Sequence, residues 1–189
     1  CAIIGAFVAL DLLLFYVFWE LTLLPLCLMI GMWGDTQRLN AALKLVLYTM
    51  AGSMLMLVGI LYLVAQYREQ TGHYSFELRD LQLLLLPVST QLWLFLAFAA
   101  AFAVKVPLVP LHTWLPDAYV QAPTAVTVML SAVMAKLATY GFLRFAMPLF
   151  PSGSHRASAT LAMLAVIGVI YGAYCALAQS DIKKLVAYS

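Results

Sequence analysis

The 189-residue sequence predicts an all-α, polytopic transmembrane helical bundle, on three observations. Hydrophobic residues make up 65% of the chain and charged residues 10%, against about 25% charged in a soluble domain. The mean hydropathy of +0.98 would leave a water-facing surface nearly bare of polar groups. The apolar residues also fall in long blocks. Each block can cross a hydrocarbon core of about 30 Å, which takes roughly 20 helical residues.

The elements follow in order. Residues 1–10 read as a partial span or the first half of a hairpin, interrupted by Asp11. The next span covers 12–33, with Glu20 as its only charge, and the polar loop 34–40 (GDTQRLN) follows. A span over 41–65 is uncharged from Leu45 onward. The longest polar connection, 66–80 (QYREQTGHYSFELRD), leads into a segment with the apolar spacing of a short interfacial helix. A span over 87–106 opens on Pro87, whose missing N–H has no helical partner at that position in any case. It is broken at 107–110 by Pro107 and Pro110. The stretch 111–123 (LHTWLPDAYVQAP) is polar, aromatic and irregular. A span over 124–147 carries Lys136 near its middle and is expected to end at Pro148 and Pro151. A span over 157–179 carries no charge, and 185–189 begins another. The sequence opens on Cys1 inside an apolar run without a charged leader segment, so it reads as an internal piece of a longer protein with no signal peptide.

Several function classes are excluded or disfavoured. The net charge of +2 forms no basic stripe suited to nucleic acid. Cys1, Cys27 and Cys175 are far apart and read as small buried hydrophobes, and no metal-ligand spacing is present. His73, His112 and His155 fall outside or at the edge of the apolar blocks, which disfavours a membrane haem with axial histidines. The positive-inside rule does not orient the chain. The face after Trp33, side A, carries Arg38, Lys44, Lys183 and Lys184, whereas the opposite face, side B, carries Arg68, Arg79, Arg144 and Arg156.

Glu20, Lys105 and Lys136 carry the functional reading. A charge at a helix centre costs on the order of 2.5–3.5 kcal/mol on insertion scales, and such residues normally face the bundle interior and mark an ion or proton path. Snorkelling, in which lysine stretches to the interface, is the bland alternative. It suits Lys105, which lies nearer side A in sequence, but not the short Glu20 or the central Lys136. Proline strengthens the case. Pro107 and Pro110 are expected to free the carbonyls of Ala103 and Val106 on either side of Lys105, and Pro25 that of Leu21 beside Glu20. Broken backbone at this depth lines a cavity or is buried in protein. Glu20 and Lys105, opposite in sign, are expected to pair. Tyr140, one turn after Lys136, and Tyr16, one turn before Glu20, are relay candidates, with plain packing as the alternative. His112 is a further candidate because it titrates near neutral pH.

The runs FWELTLLP around Glu20, KVPLVPLHTWLPDA from Lys105, QAPTA from Gln121, AKLATYGFLRF around Lys136 and the terminal AQSDIKKLVAYS occur in this order over essentially the whole chain. Together they resemble the antiporter-like membrane subunits of respiratory complex I. The run Trp19-Glu20-Leu21-Thr22 is nearer to the M-type branch than to the L-type relatives. The resemblance implies roughly the first five-helix inverted repeat of the antiporter-like fold. It implies proton translocation coupled to NADH oxidation and quinone reduction, with Glu20, Lys105 and Lys136 on the path and Lys136 passing protons onward. By the same resemblance this chain does no redox chemistry and holds no cofactor or metal. NADH, FMN, iron–sulfur clusters and quinone belong to other subunits. The implied partners are the lipid bilayer and other membrane subunits, including related antiporter-like ones, in the inner membrane of a bacterial cell with side A cytoplasmic. The chain departs from the family pattern at Tyr119, where His is frequent, and at Val126, where Gly is frequent. The nearest alternatives are a cation/proton antiporter subunit of the Mrp type and the membrane subunit of a proton-pumping hydrogenase. A passive anchor for redox subunits, or a haem or quinone carrier, are more distant ones.

Overall fold

The computed structural model describes residues 1–189, and every extended element is helical. Helix α1 (Ala2–Val8) turns back at Asp11, whose carboxylate accepts from the Leu14 N–H at 2.8 Å and so caps the next helix. α2 (Leu12–Trp33) is the first of five helices long and apolar enough to cross a membrane. It breaks into a turn at Thr22, three residues before Pro25, whose ring crowds the preceding turn.

α3 (Arg38–Thr71) is longer than the expected 41–65. Its 34 residues carry it beyond the apolar stretch, because the polar residues at both ends stay helical. It stops at Gly72, whose φ of 82° is left-handed backbone that glycine adopts without a Cβ clash. The connection that follows is tied to the α1–α2 turn. Leu12 N donates to Phe76 O at 2.9 Å, and Leu78 N to Leu10 O at 3.0 Å. The short helix α4 (Leu78–Gln82) sits in this connection, and α5 (Val88–Lys105) descends from Pro87.

After the break, α6 (Trp114–Gln121) continues toward side A, where the Asp35 N–H donates to the Gln121 carbonyl at 3.0 Å. α7 (Thr124–Leu149) climbs back and contains two π-helical turns, Leu130–Met134 and Phe142–Ala146. Its expected end at 147 is corrected, since Pro148 lies within the helix. Pro151 opens the next helix, α8 (Pro151–Leu177), instead of ending the previous one. α8 therefore starts six residues before the expected 157, with proline at its first turn, where no N–H is missed. α9 (Ile182–Tyr188) is capped by the Asp181 carboxylate, which accepts from Lys183 N at 2.7 Å and Lys184 N at 3.2 Å.

Two cores hold the bundle. The larger is aromatic. Phe15, Trp19, Phe98, Phe102, Phe145 and Phe150 are at most 1% exposed and meet in edge-on or tilted pairs. The smaller lies toward side A around Ile30, Leu45, Trp114 and Leu130. Small residues allow close approach, as is usual between membrane helices. A Cβ on Gly141 would lie 2.6 Å from the Phe102 ring, and one on Gly153 would lie 2.6 Å from the Gln91 carbonyl oxygen.

Candidate functional site

Lys105 ends α5 and is 2% exposed. Its Nζ donates to the Trp19 carbonyl at 3.1 Å and to Thr22 Oγ1 at 3.2 Å, and sits 3.6 Å from the centroid of the Trp19 ring. Trp19 and Thr22 lie near the middle of the 22-residue α2. The ammonium is therefore held at mid-depth, which overturns the snorkelling alternative. Side A is reached only after the broken segment and α6. The α2 break makes this geometry possible. At the turn, the Trp19 carbonyl takes the Thr22 hydroxyl at 2.7 Å and the lysine. Thus the carbonyl used is that of Trp19, not the Leu21 carbonyl expected from Pro25.

Glu20 is half-buried, and its Oε1 is buried with no hydrogen-bond partner. The expected pairing with Lys105 is corrected. No ion pair joins them, and the only one in the chain links Lys44 Nζ to Asp117 Oδ2 at 2.6 Å on side A. Glu20 nevertheless stands in sequence between the two residues that hold the lysine, so the structure brings both charges to one level of the bundle.

The expectation of a free Ala103 carbonyl is also corrected. Leu108 N reaches one residue further back than in a regular helix and donates to Ala103 O at 2.9 Å. That shift leaves Val104 O, and the Trp114 indole N–H fills it at 2.8 Å. Trp114 thus closes the break from inside, a role that the sequence reading missed. Its signal was a tryptophan, which carries one N–H donor, beside a double proline. Pro107 and Val109 still border a cavity of about 630 Å³, together with His112, Gly168, Tyr171 and Tyr188. His112 Nδ1 is buried without a partner, and its ring meets Tyr171 edge-on at 5.1 Å.

Lys136 departs from the expectation of a charge facing the bundle interior. It is exposed on the outer face of α7, where Val128, Leu143 and Met147 are exposed too. Its Nζ donates to the Ser131 carbonyl at 3.0 Å, five residues back across the first π turn. Tyr140 does not bond to Lys136. Its hydroxyl donates to Phe7 O at 2.9 Å, tying α7 to α1. Tyr16 is half-buried and packs against the aromatic core. No group of three or more His, Cys, Asp or Glu side chains is arranged to hold a metal ion. Thr22, Trp19 and Ser131, which bind the two lysines, were not singled out from sequence. Ordinary core residues acquire these roles only through the α2 break and the π turn.

A family model described as "NADH:quinone oxidoreductase/Mrp antiporter, TM" matches residues 9–189. The chain belongs to this family. Members of the NADH:quinone oxidoreductase/Mrp antiporter family resemble it closely. It is 49% identical to the NADH-quinone oxidoreductase subunit M of Rhodobacter capsulatus, over 98% of this chain and 38% of the relative. It superposes on a chain of respiratory complex I from Thermus thermophilus with a TM-score of 0.89 and 40% identity, over 99% of this chain and 39% of that one. A chain of the Mrp complex from a Dietzia species gives 0.83 at 26% identity, over 99% of this chain and 20% of that one. The chain thus spans less than two fifths of each of these relatives.

Proposed function

We propose that this chain is part of a proton-translocating membrane subunit of NADH:quinone oxidoreductase, with Glu20, Lys105 and Lys136 on the proton path. One observation carries the reading. An ammonium is held at mid-depth, 2% exposed, among aromatic rings, with two hydrogen bonds but no counter-ion in contact. A buried lysine without an ion pair is costly, and such residues mark proton relays. Its site can hold a proton, and the unpartnered carboxylate of Glu20 can bias how firmly. Lys136, exposed on the outer face, in this reading hands protons to whatever covers α7. In this reading NADH, FMN, iron–sulfur clusters and quinone are bound by other subunits. Related antiporter-like subunits are neighbours in a bacterial inner membrane, with side A cytoplasmic.

The test is NADH-driven proton uptake by vesicles carrying the complete enzyme with Lys105→Met. Pumping is expected to fall sharply with assembly intact, whereas normal pumping with normal assembly would overturn the reading. A cation/proton antiporter of the Mrp type is the second reading, supported by the 0.83 superposition. The 49% identity to a subunit M favours the first.

A further inference from the structure

We infer that Trp19 and Thr22 form a purpose-built seat for the ammonium of Lys105, and that Thr22 is a positioning residue of the proton path. The inference rests on the proposed function of Lys105 and adds to it the element that holds the charge.

Lys105 Nζ has three N–H donors and no carboxylate in contact. Two donors are accounted for by the Trp19 carbonyl and the Thr22 hydroxyl. The Thr22 proton is committed to the Trp19 carbonyl at 2.7 Å, so the hydroxyl turns its lone pairs toward the lysine. A hydroxyl that already donates to a carbonyl is a better acceptor, because chained hydrogen bonds polarise one another. The Trp19 ring, 3.6 Å from Nζ, adds the negative face of its π system. Three features of one helical turn therefore converge on one cation. They are available because the helix breaks at Thr22; a continuous helix would use the Trp19 carbonyl for its own ladder.

The seat solves a specific difficulty. A lysine that must change partners cannot rest in a tight ion pair, yet a bare ammonium in a bilayer is prohibitive. Neutral acceptors hold it without neutralising it. Glu20, whose Oε1 lacks a partner, sits one residue from Trp19 and two from Thr22. In this proposal the lysine leaves the seat when it exchanges these neutral acceptors for the Glu20 carboxylate, with which it forms no ion pair in this structure.

The experiment uses the complete membrane enzyme with Thr22→Val, Thr22→Ser and Lys105→Met. Thr22→Val keeps the shape and removes the acceptor. The initial pumping rate per assembled complex is expected to fall about tenfold, the loss of one hydrogen bond to a charged group. Thr22→Ser is expected to restore most of it, which a role in packing alone would not produce. Wild-type pumping in Thr22→Val, or a Thr22→Ser enzyme as impaired as Thr22→Val, overturns the seat. A loss in Lys105→Met without one in Thr22→Val overturns the seat and leaves the proposed function standing. No loss in Lys105→Met overturns both. Should Thr22→Val fail to assemble, a structure of the complete Glu20→Gln enzyme decides. Lys105 Nζ is expected to stay within hydrogen-bonding distance of Thr22 and Trp19, and its departure would overturn the proposal.

Discussion

At the scale of single residues, the two lysines share a chemistry but occupy opposite environments. Lys105 is enclosed and bonded across helices, whereas Lys136 lies on an apolar outer face with one intrahelical bond, to Ser131. Their truncations should differ accordingly. Lys136→Ala removes a cation from a lipid-like surface, so insertion of α7 should improve by about 2.5–3.5 kcal/mol, measured by membrane-insertion assay of the isolated helix. The same change in the complete enzyme should lower pumping while assembly survives. Improved insertion with unchanged pumping would leave Lys136 outside the path. The three charges were legible in the sequence because a charge in a long apolar run stands out whatever the fold. Their partners were not. Nothing in the residue pattern says that Trp19 offers its carbonyl or that Lys136 points outward, since both depend on local departures from the regular helix.

At the scale of elements, the break after α5 shows which contacts matter. The Lys44–Asp117 pair is partly exposed, with side chains 36% and 49% accessible, and such pairs contribute about 0–1 kcal/mol. Asp117→Asn should therefore lower stability by less than about 1 kcal/mol in detergent unfolding. Trp114 is 1% exposed, and its indole N–H is the partner of a buried carbonyl. Trp114→Phe keeps the ring but leaves Val104 O unsatisfied, a loss of about 1–3 kcal/mol by the same measurement. Equal effects of the two changes would refute this ranking. Pro107→Ala introduces an N–H that competes with Leu108 N for the Ala103 carbonyl. It should straighten the break and slow turnover with little effect on folding; unchanged turnover would mean that the break is merely tolerated. The spans themselves were readable from apolar run length. The break at Thr22 was announced by Pro25, three residues on, but the π turns of α7 were not, because the geometry of such a turn is decided by packing against neighbouring helices.

At the scale of the whole molecule, the bundle is lopsided. α2, α5 and α7 bury large aromatic residues between them, whereas α8 buries only Gly153 and Ala157. Its attachment relies on a close approach, with Gly153 against the Gln91 carbonyl and Ser152 N donating to Gln91 Oε1 at 3.1 Å. Gly153→Leu should force α8 away from α5 at a cost of about 1–3 kcal/mol, visible as a lower melting temperature in detergent. An unchanged melting temperature would show that α8 is held by other contacts. The outward side of α8 and the Lys136 face of α7 are both left uncovered and mostly apolar, with Lys136 and Arg144 exposed on α7 and Arg156 near the start of α8. The length of apolar runs announced spans but could not say which sides would be left open, because that is a property of how helices are arranged and not of any one of them.

The stacking of Lys105 on Trp19 has an optical consequence. Indole emission shifts in the field of a nearby charge, and Trp19 holds that charge 3.6 Å from its ring. The chain has four tryptophans. Trp33 and Trp93 lie on the outer surface, and the Trp114 indole N–H donates to the Val104 carbonyl. If Lys105 carries protons as proposed, the emission of Trp19, taken as the difference between the complete enzyme and its Trp19→Phe variant, should shift when the ammonium leaves the ring.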